Sequence, residues 1–244
     1  MPNDVNHNEQ YIYEILAILE ERGGAVGSGL LSELLAAKGL ILSHATVGRL
    51  LSQMDHKQWT LRQGFQGRII TEAGRKELAR FRSAQERLTY EARFLKALEP
   101  QQKEDIIEIL VARKAIEREL ARLAALRATE EQIAAMESAL PDHILERQPH
   151  AQFATQDLTF HKTLADAAGN QVLATALDLV RKDELFIPVY EYVRARLGGK
   201  LVVDHQQIVQ AIKQRDPQAA EQAMAQHVET MIEYVQIYWN AVKK

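Results

Sequence analysis

Apolar residues recur at helical spacing along most of the chain. From Glu9 to Arg22 the positions Tyr11, Ile12, Ile15, Leu16, Ile18 and Leu19 fall three and four apart, and Gly23-Gly24 ends the run, which predicts a first helix. Leu30, Leu31, Leu34 and Leu35 follow Ser28, with Gly39 closing a second helix of about three turns. Ser43 is placed to cap a third, which carries Val47, Leu50, Leu51 and Met54 on one side and His44, Thr46, Arg49, Gln53 and Lys57 on the other, ending near His56. Trp59-Thr60-Leu61-Arg62 and Arg68-Ile69-Ile70, on either side of Gln63-Gly64-Phe65-Gln66-Gly67, read as two short strands joined by a glycine-containing turn, after which Thr71 caps a new helix.

Three short helices followed by a hairpin is the winged-helix order, in which the third helix is offered to the major groove and the hairpin to the backbone or minor groove. Residues 72 to 97 continue as a polar helix with sparse apolar positions, and Pro100 breaks the chain. Beyond it the pattern predicts helices over roughly 101–127, 130–143, 150–168, 170–184, 186–198, 201–214 and 217–242. Thr129, Pro141, Pro149, Gly169-Asn170, Pro188, Gly198-Gly199 and Asp216-Pro217 punctuate them. The expected fold class is therefore mostly α: a winged helix over 1–82, a helical linker over 83–100, and an antiparallel all-α bundle over 101–244. At 244 residues the chain is long enough for two cores.

Composition narrows the chemistry. With no cysteine, thiolate catalysis and cysteine-based zinc fingers are excluded, and any metal takes nitrogen and oxygen ligands. The chain starts without a basic and apolar leader and has no run of the roughly 18 apolar residues that span a bilayer, so the expectation is a cytoplasmic protein with no membrane partner. The net charge is −3, yet Ser43 to Arg82 holds eight basic residues against three acidic ones. Such a local excess inside an acidic chain is the footprint expected for phosphate contact, and Ser43, His44, Thr46, Arg49, Gln53, Lys57, Arg62 and Arg68 are the candidate DNA-binding residues.

The N-terminal segment resembles the winged-helix module at the head of ribonuclease R and of the methanogen nitrogen-regulatory repressor. The resemblance rests on Val26-Gly27-Ser28, Leu42-Ser43-x-Ala45-Thr46-Val47-x-Arg49-x-Leu51 and Gly67-Arg68-x-Ile70-Thr71-x-x-Gly74, and covers roughly residues 9 to 80.

In the helical part, Asp157 and His161 sit four apart on one helix, one above the other, a spacing that suits two ligands of one metal but also occurs by chance. His205 and His227 open and bisect two later helices. Asp157-Leu158-x-Phe160-His161-x-x-Leu164-Ala165-x-Ala167-x-Gly169-Asn170 is very similar to the FCD ligand-binding domain of GntR-type regulators of the FadR subfamily. Leu110-Val111-Ala112-Arg113-Lys114-Ala115-Ile116-Glu117 matches upstream of it; downstream, Asp204-His205-Gln206-x-Ile208-Val209-x-Ala211-Ile212 and Asp216-x-x-Ala219-Ala220-x-x-Ala223-Met224-x-x-His227 do.

The resemblance implies a divalent ion (Zn, Ni, Mn or Fe) held by Asp157, His161, His205 and His227, with a position left open for the carboxylate of a small organic acid. It implies that Arg113 sends a guanidinium toward that ligand, with Glu117 and Asn170 as further candidates; a surface arginine and a helix cap are the plain alternatives for Arg113 and Asn170. It also implies a homodimeric, ligand-responsive regulator, more often a repressor, acting on a double-stranded DNA operator, and not an enzyme. The Pro-Ser-x-Arg run and Ser-Arg-x-Thr-Val-Arg recognition helix of the usual GntR head are missing, so that family's operator code does not transfer. Two rival readings stand beside this one: a metal-dependent hydrolase or lyase, with Glu117 or Glu184 as its base, and an RNA- or protein-binding head above a structural metal.

Overall fold

The computed structural model describes residues 3–140, 150–181, 187–189, 192 and 205–242. The chain divides into two compact units, Met1–Phe94 and Leu95–Lys244.

The first unit is a winged helix. Helices α1 (Asn3–Arg22), α2 (Ser28–Ala37) and α3 (His44–His56) enclose a core of Ile15, Leu16, Leu19, Leu31, Leu35, Val47, Leu51 and Met54. Ser43 caps α3, its hydroxyl accepting from the Thr46 N–H at 3.1 Å, and α3 turns its apolar stripe inward because Val47, Leu50, Leu51 and Met54 lie on one side of the helix. Strands β1 (Thr60–Gln63) and β2 (Gly67–Ile70) pair antiparallel, Thr60 opposite Ile70 and Gln63 opposite Gly67. The first strand is shifted by one residue from the expected 59–62, because the ladder begins at Thr60, where the side chain turns inward to Asp55, and the second starts one residue before the expected 68–70.

The hairpin is tied to the loop after α1 by a reciprocal pair of backbone hydrogen bonds between Val26 and Arg68. Gly67 makes this approach possible: its φ is +120°, and a β-carbon there would lie 2.2 Å from the Val26 carbonyl. Gly74 does the same in the first turn of α4 (Glu72–Ala97), where a β-carbon would lie 2.1 Å from the Trp59 carbonyl oxygen. Thr71 caps that helix, accepting from the Gly74 N–H. The helix takes in residues 83–97 of the expected linker.

The second unit is helical throughout its described residues: α5 (Lys103–Arg127), α6 (Glu130–Ala139), α7 (His150–Ala168), α8 (Gln171–Val180), α9 (His205–Lys213) and α10 (Pro217–Val242). Helix α5 is the axis. It packs most extensively on α10 and also against α7, α8 and α9, so it buries Ile109, Leu110, Leu120, Ala121, Ala124 and Ala125. A capping box between Gln102 and Asp105 starts it, two residues later than the periodicity alone predicts. Helix α6 stops at Ala139 rather than 143 because Leu140 precedes Pro141 and takes the extended backbone that a following proline requires. The helix expected over 186–198 and the ends of those expected near 184 and 201 fall largely outside the described residues. No helix among the described residues is long and apolar enough to cross a membrane.

Candidate metal centre and nucleic-acid face

Three helices of the second unit bring four donors together. Helix α7 presents Asp157 and His161 one turn apart, α9 opens with His205, and α10 carries His227. One ligand atom from each of the four lies within 4.8 Å of the others. His205 Nε2 is 3.2 Å and His161 Nε2 3.7 Å from Asp157 Oδ1, and the three imidazole centroids are 4.6 to 5.2 Å apart. The buried Phe160 ring stacks on His205 at 4.2 Å and fixes its plane.

A shell of charge surrounds the donors. Asp157 Oδ2 accepts from Arg181 Nη2 at 2.5 Å, at the end of α8. Glu117 Oε2 lies 2.5 Å from His161 Nδ1, and Glu117 Oε1 accepts from Arg113 Nε at 2.7 Å. Arg113 and Glu117 have no solvent exposure. Burial pushes both carboxyls up, but Arg113 and then His161 hold Glu117 well below the usual carboxylate range, and His161, His205 and Arg181 do the same for Asp157. Burial pushes His161 down against the pull of Glu117, and burial with repulsion from His205 and His161 holds His227 well below its ordinary value. Nε2 of His227 is buried and has no hydrogen-bond partner among the described residues.

Three imidazoles, two of them (His161 and His227) held toward the neutral form, and one ionised carboxylate converge as a donor set that fits a divalent first-row ion. Asn170 caps α8, its side-chain oxygen accepting from the Leu173 N–H. Glu117, a candidate base in the hydrolase reading, is engaged on both oxygens by Arg113 and His161; Glu184 lies outside the described residues. Arg181 is a member of the cluster that the sequence did not reveal: 24 residues separate it from Asp157 and no motif links them.

In the first unit, Ser43, His44, Arg49, Gln53, Lys57 and Arg62 are exposed on α3 and the hairpin, and Thr46 is half-buried with its hydroxyl 2.9 Å from that of Ser43. Lys57 Nζ sits 4.3 Å above the Trp59 ring. Arg68 differs from the others. Its Nε donates to Asp55 Oδ2 at 2.8 Å, half-buried, while Thr60 donates to the other oxygen. Arg62 faces Arg68 across the ladder, a like-charge pair that the Asp55 contact relieves. Phe65, which no sequence argument singled out, stands fully exposed at the hairpin turn, and the available signal was an aromatic residue set among Gly64, Gln66 and Gly67 with no core to join.

The FCD domain model matches residues 108–230, which takes in all four donors. The chain belongs to the FCD domain family. A second model, the ribonuclease R winged-helix domain, matches residues 13–78. Among curated relatives, the HTH-type transcriptional repressors NanR of Salmonella newport (strain SL254) and Salmonella typhimurium (strain LT2) are each 34% identical over 131 residues, covering 52% of this chain and 48% of theirs. The chain thus spans about half the length of these relatives. Among solved structures, a GntR-family transcriptional regulator from Pseudomonas syringae pv. tomato aligns with a TM-score of 0.52 at 18% identity, covering 86% of this chain and 76% of that one. McbR/YncC of E. coli aligns at 0.51 and 14%, covering 96% and 99%. At these identities the structures show the fold alone. The relatives named are transcription regulators, and the first unit, a winged helix, is similar over residues 13–78 to the winged-helix domain of ribonuclease R.

Proposed function

We propose that the chain is a homodimeric transcription repressor whose winged helices hold a double-stranded operator. In this reading Asp157, His161, His205 and His227 hold a zinc, nickel, manganese or iron ion, and a small organic acid sensed at that ion releases the DNA. The observation that carries the reading is the convergence of four donors within 4.8 Å, the Nε2 atoms of all three histidines buried and without a hydrogen-bond partner among the described residues, in an FCD chain that also bears an exposed basic helix–hairpin face.

A bound ion of this type supplies a Lewis-acidic position that accepts a carboxylate directly. The chain's own residues do the rest. Arg181 keeps one oxygen of Asp157 occupied, so that the other faces the imidazoles, and Arg113 places a guanidinium in the same buried cluster. In the head, His44, Arg49 and Gln53 on α3 and Lys57 at its C-terminal cap are exposed where a groove would meet them, with Arg62 exposed on the hairpin.

The test has two arms. Metal content of the purified chain is measured by mass spectrometry, with about one ion per chain expected and its loss on His161→Ala. DNA capture by metal-loaded protein is followed by fluorescence anisotropy on genomic duplex fragments, with and without citrate, lactate and succinate. One acid is expected to weaken capture about 5- to 150-fold, the range of a coupling of ~1–3 kcal/mol. Capture of single-stranded RNA in preference to duplex DNA, or DNA affinity unchanged by every acid, would overturn the reading.

A further inference from the structure

Glu117 touches none of the space between the four donors' converging atoms; it stands behind one of them. His161 turns Nε2 toward Asp157 and Nδ1 toward Glu117, and Nδ1 and Oε2 are 2.5 Å apart. By angle the contact is not a well-formed hydrogen bond, but both atoms are buried, and two lone-pair atoms at this separation need a proton between them. The other oxygen of Glu117 accepts from Arg113 Nε, a group that can only donate, so the carboxylate is left as acceptor on both sides. The proton therefore sits on Nδ1 of the imidazole, and the lone pair of the ring sits on Nε2.

From this geometry we infer that Glu117 is a positioning residue that fixes His161 as the Nδ1–H tautomer and so presents its Nε2 lone pair to the ion, with Arg113 as the lock that keeps Glu117 in place. This rests on the proposal that the four donors bind a metal. The three histidines are held by different means. His205 is held by the Phe160 ring, and its carboxylate contact, Asp157, is made through Nε2 rather than Nδ1. Among the described residues His161 is the one with a buried carboxylate at Nδ1, and α5 supplies that carboxylate although none of the four donors lies on α5.

The isosteric change Glu117→Gln tests the inference, because an amide has one acceptor and one donor end. Arg113 can only donate, so it takes the amide oxygen; the NH2 then faces His161, which must accept at Nδ1 and carry its proton on Nε2. Histidine-labelled, metal-free full-length chain read by long-range 1H–15N NMR is expected to show the Nδ1–H tautomer for His161 in the wild type and the Nε2–H tautomer in Glu117→Gln. Co2+ affinity, measured by competition with a chromophoric chelator, is expected to fall about 10- to 100-fold in Glu117→Gln, the effect typical of losing such a partner. In Arg113→Met/Glu117→Gln the obligate donor is gone, the amide oxygen turns to His161, and the Nδ1–H tautomer and most of the Co2+ affinity are expected to return. A purely structural role for Glu117 predicts no such rescue.

An Nε2–H His161 in the wild type overturns the inference even if Co2+ binds. So does a Glu117→Gln chain that binds Co2+ as tightly as the wild type. A wild-type chain with the Nδ1–H tautomer that takes up no Co2+ instead overturns the metal reading and leaves the tautomer assignment standing. The wild-type measurement decides the central point even if a variant fails to fold.

Discussion

Replacing His227 by leucine should make the metal-free chain more stable and abolish its stabilisation by metal. His227 is buried among His161, His205, Asp157 and Glu117, and its Nε2 meets no hydrogen-bond partner among the described residues. An unsatisfied buried polar atom costs about 1–3 kcal/mol, and leucine fills a similar volume without it. Metal acts in the opposite direction. An ion present at 1,000 times its dissociation constant stabilises the wild type by about 4.1 kcal/mol, which in a unit of this size raises the unfolding temperature by roughly 8–16 °C. The variant, short of one ligand on α10, should show little of that rise.

The pH dependence carries its own sign. Because burial and repulsion from His205 and His161 depress His227 well below its ordinary value near 6.5, the unfolded chain takes up a proton that the folded chain refuses. The stability due to the neutral ring is therefore present above pH 6.5 and is lost as pH falls from there toward the folded value. His227→Leu should remove that part of the slope. Calorimetric unfolding of EDTA-dialysed and zinc-loaded protein between pH 5 and 8 measures all three effects. Equal metal-induced shifts in wild type and variant would refute the assignment of Nε2 as a ligand, and a metal-free variant less stable than wild type at pH 5.5 would refute the burial argument.

Gly67→Ala should destabilise the first unit by about 2–4 kcal/mol, because φ of +120° is closed to alanine and the new methyl would meet the Val26 carbonyl at 2.2 Å; an unchanged unfolding transition would contradict the hairpin anchor. Arg49→Ala should leave stability within about 0.5 kcal/mol, yet lower DNA affinity and reduce the salt slope by about 1. Arg68→Ala should instead cost about 1 kcal/mol of stability, a value discounted for its partial exposure, by leaving Asp55 without its cation beside Thr60. Unfolding curves and salt-dependent anisotropy on the same two variants separate these roles, and a larger salt-slope loss in Arg68→Ala than in Arg49→Ala would reverse them.

The head was legible because its signals are local. Ser43 precedes a clean 3.6-residue stripe, and Gly67 and Gly74 stand where the backbone of a neighbouring segment comes within contact distance. Arg68 was not, because counting charges treats each arginine as equally free, whereas its partner Asp55 lies 13 residues away on α3 and meets it only after β2 folds back. In the second unit, Asp157 and His161 pair by helical spacing alone, but their meeting with His205 and His227 is tertiary, and only the family pattern joined them in the sequence. Spacing also pairs Arg113 with Glu117 while leaving their side of the helix open. Their burial follows from α5 being covered by α7, α8, α9 and α10, which no window along one helix contains.

The charges of the buried cluster bear on how an acid would be sensed. Among the described residues Asp157 and Glu117 are offset by Arg181 and Arg113, so these two carboxylates and two guanidiniums carry no net charge to draw an anion. Among four imidazole–carboxylate donors so balanced, the excess positive charge that favours a carboxylate comes with the divalent ion. In the proposed regulator an acid effector would then depend on the metal for its affinity, and an ion held by the same four side chains in both conformations would by itself shift neither. Selectivity between the DNA-bound and released forms must lie in what the acid touches beyond the ion, because a ligand that interacts equally with two states moves no equilibrium however tightly it binds. In the proposed regulator the discrimination would then belong to the side chains around the four donors rather than to the donors themselves.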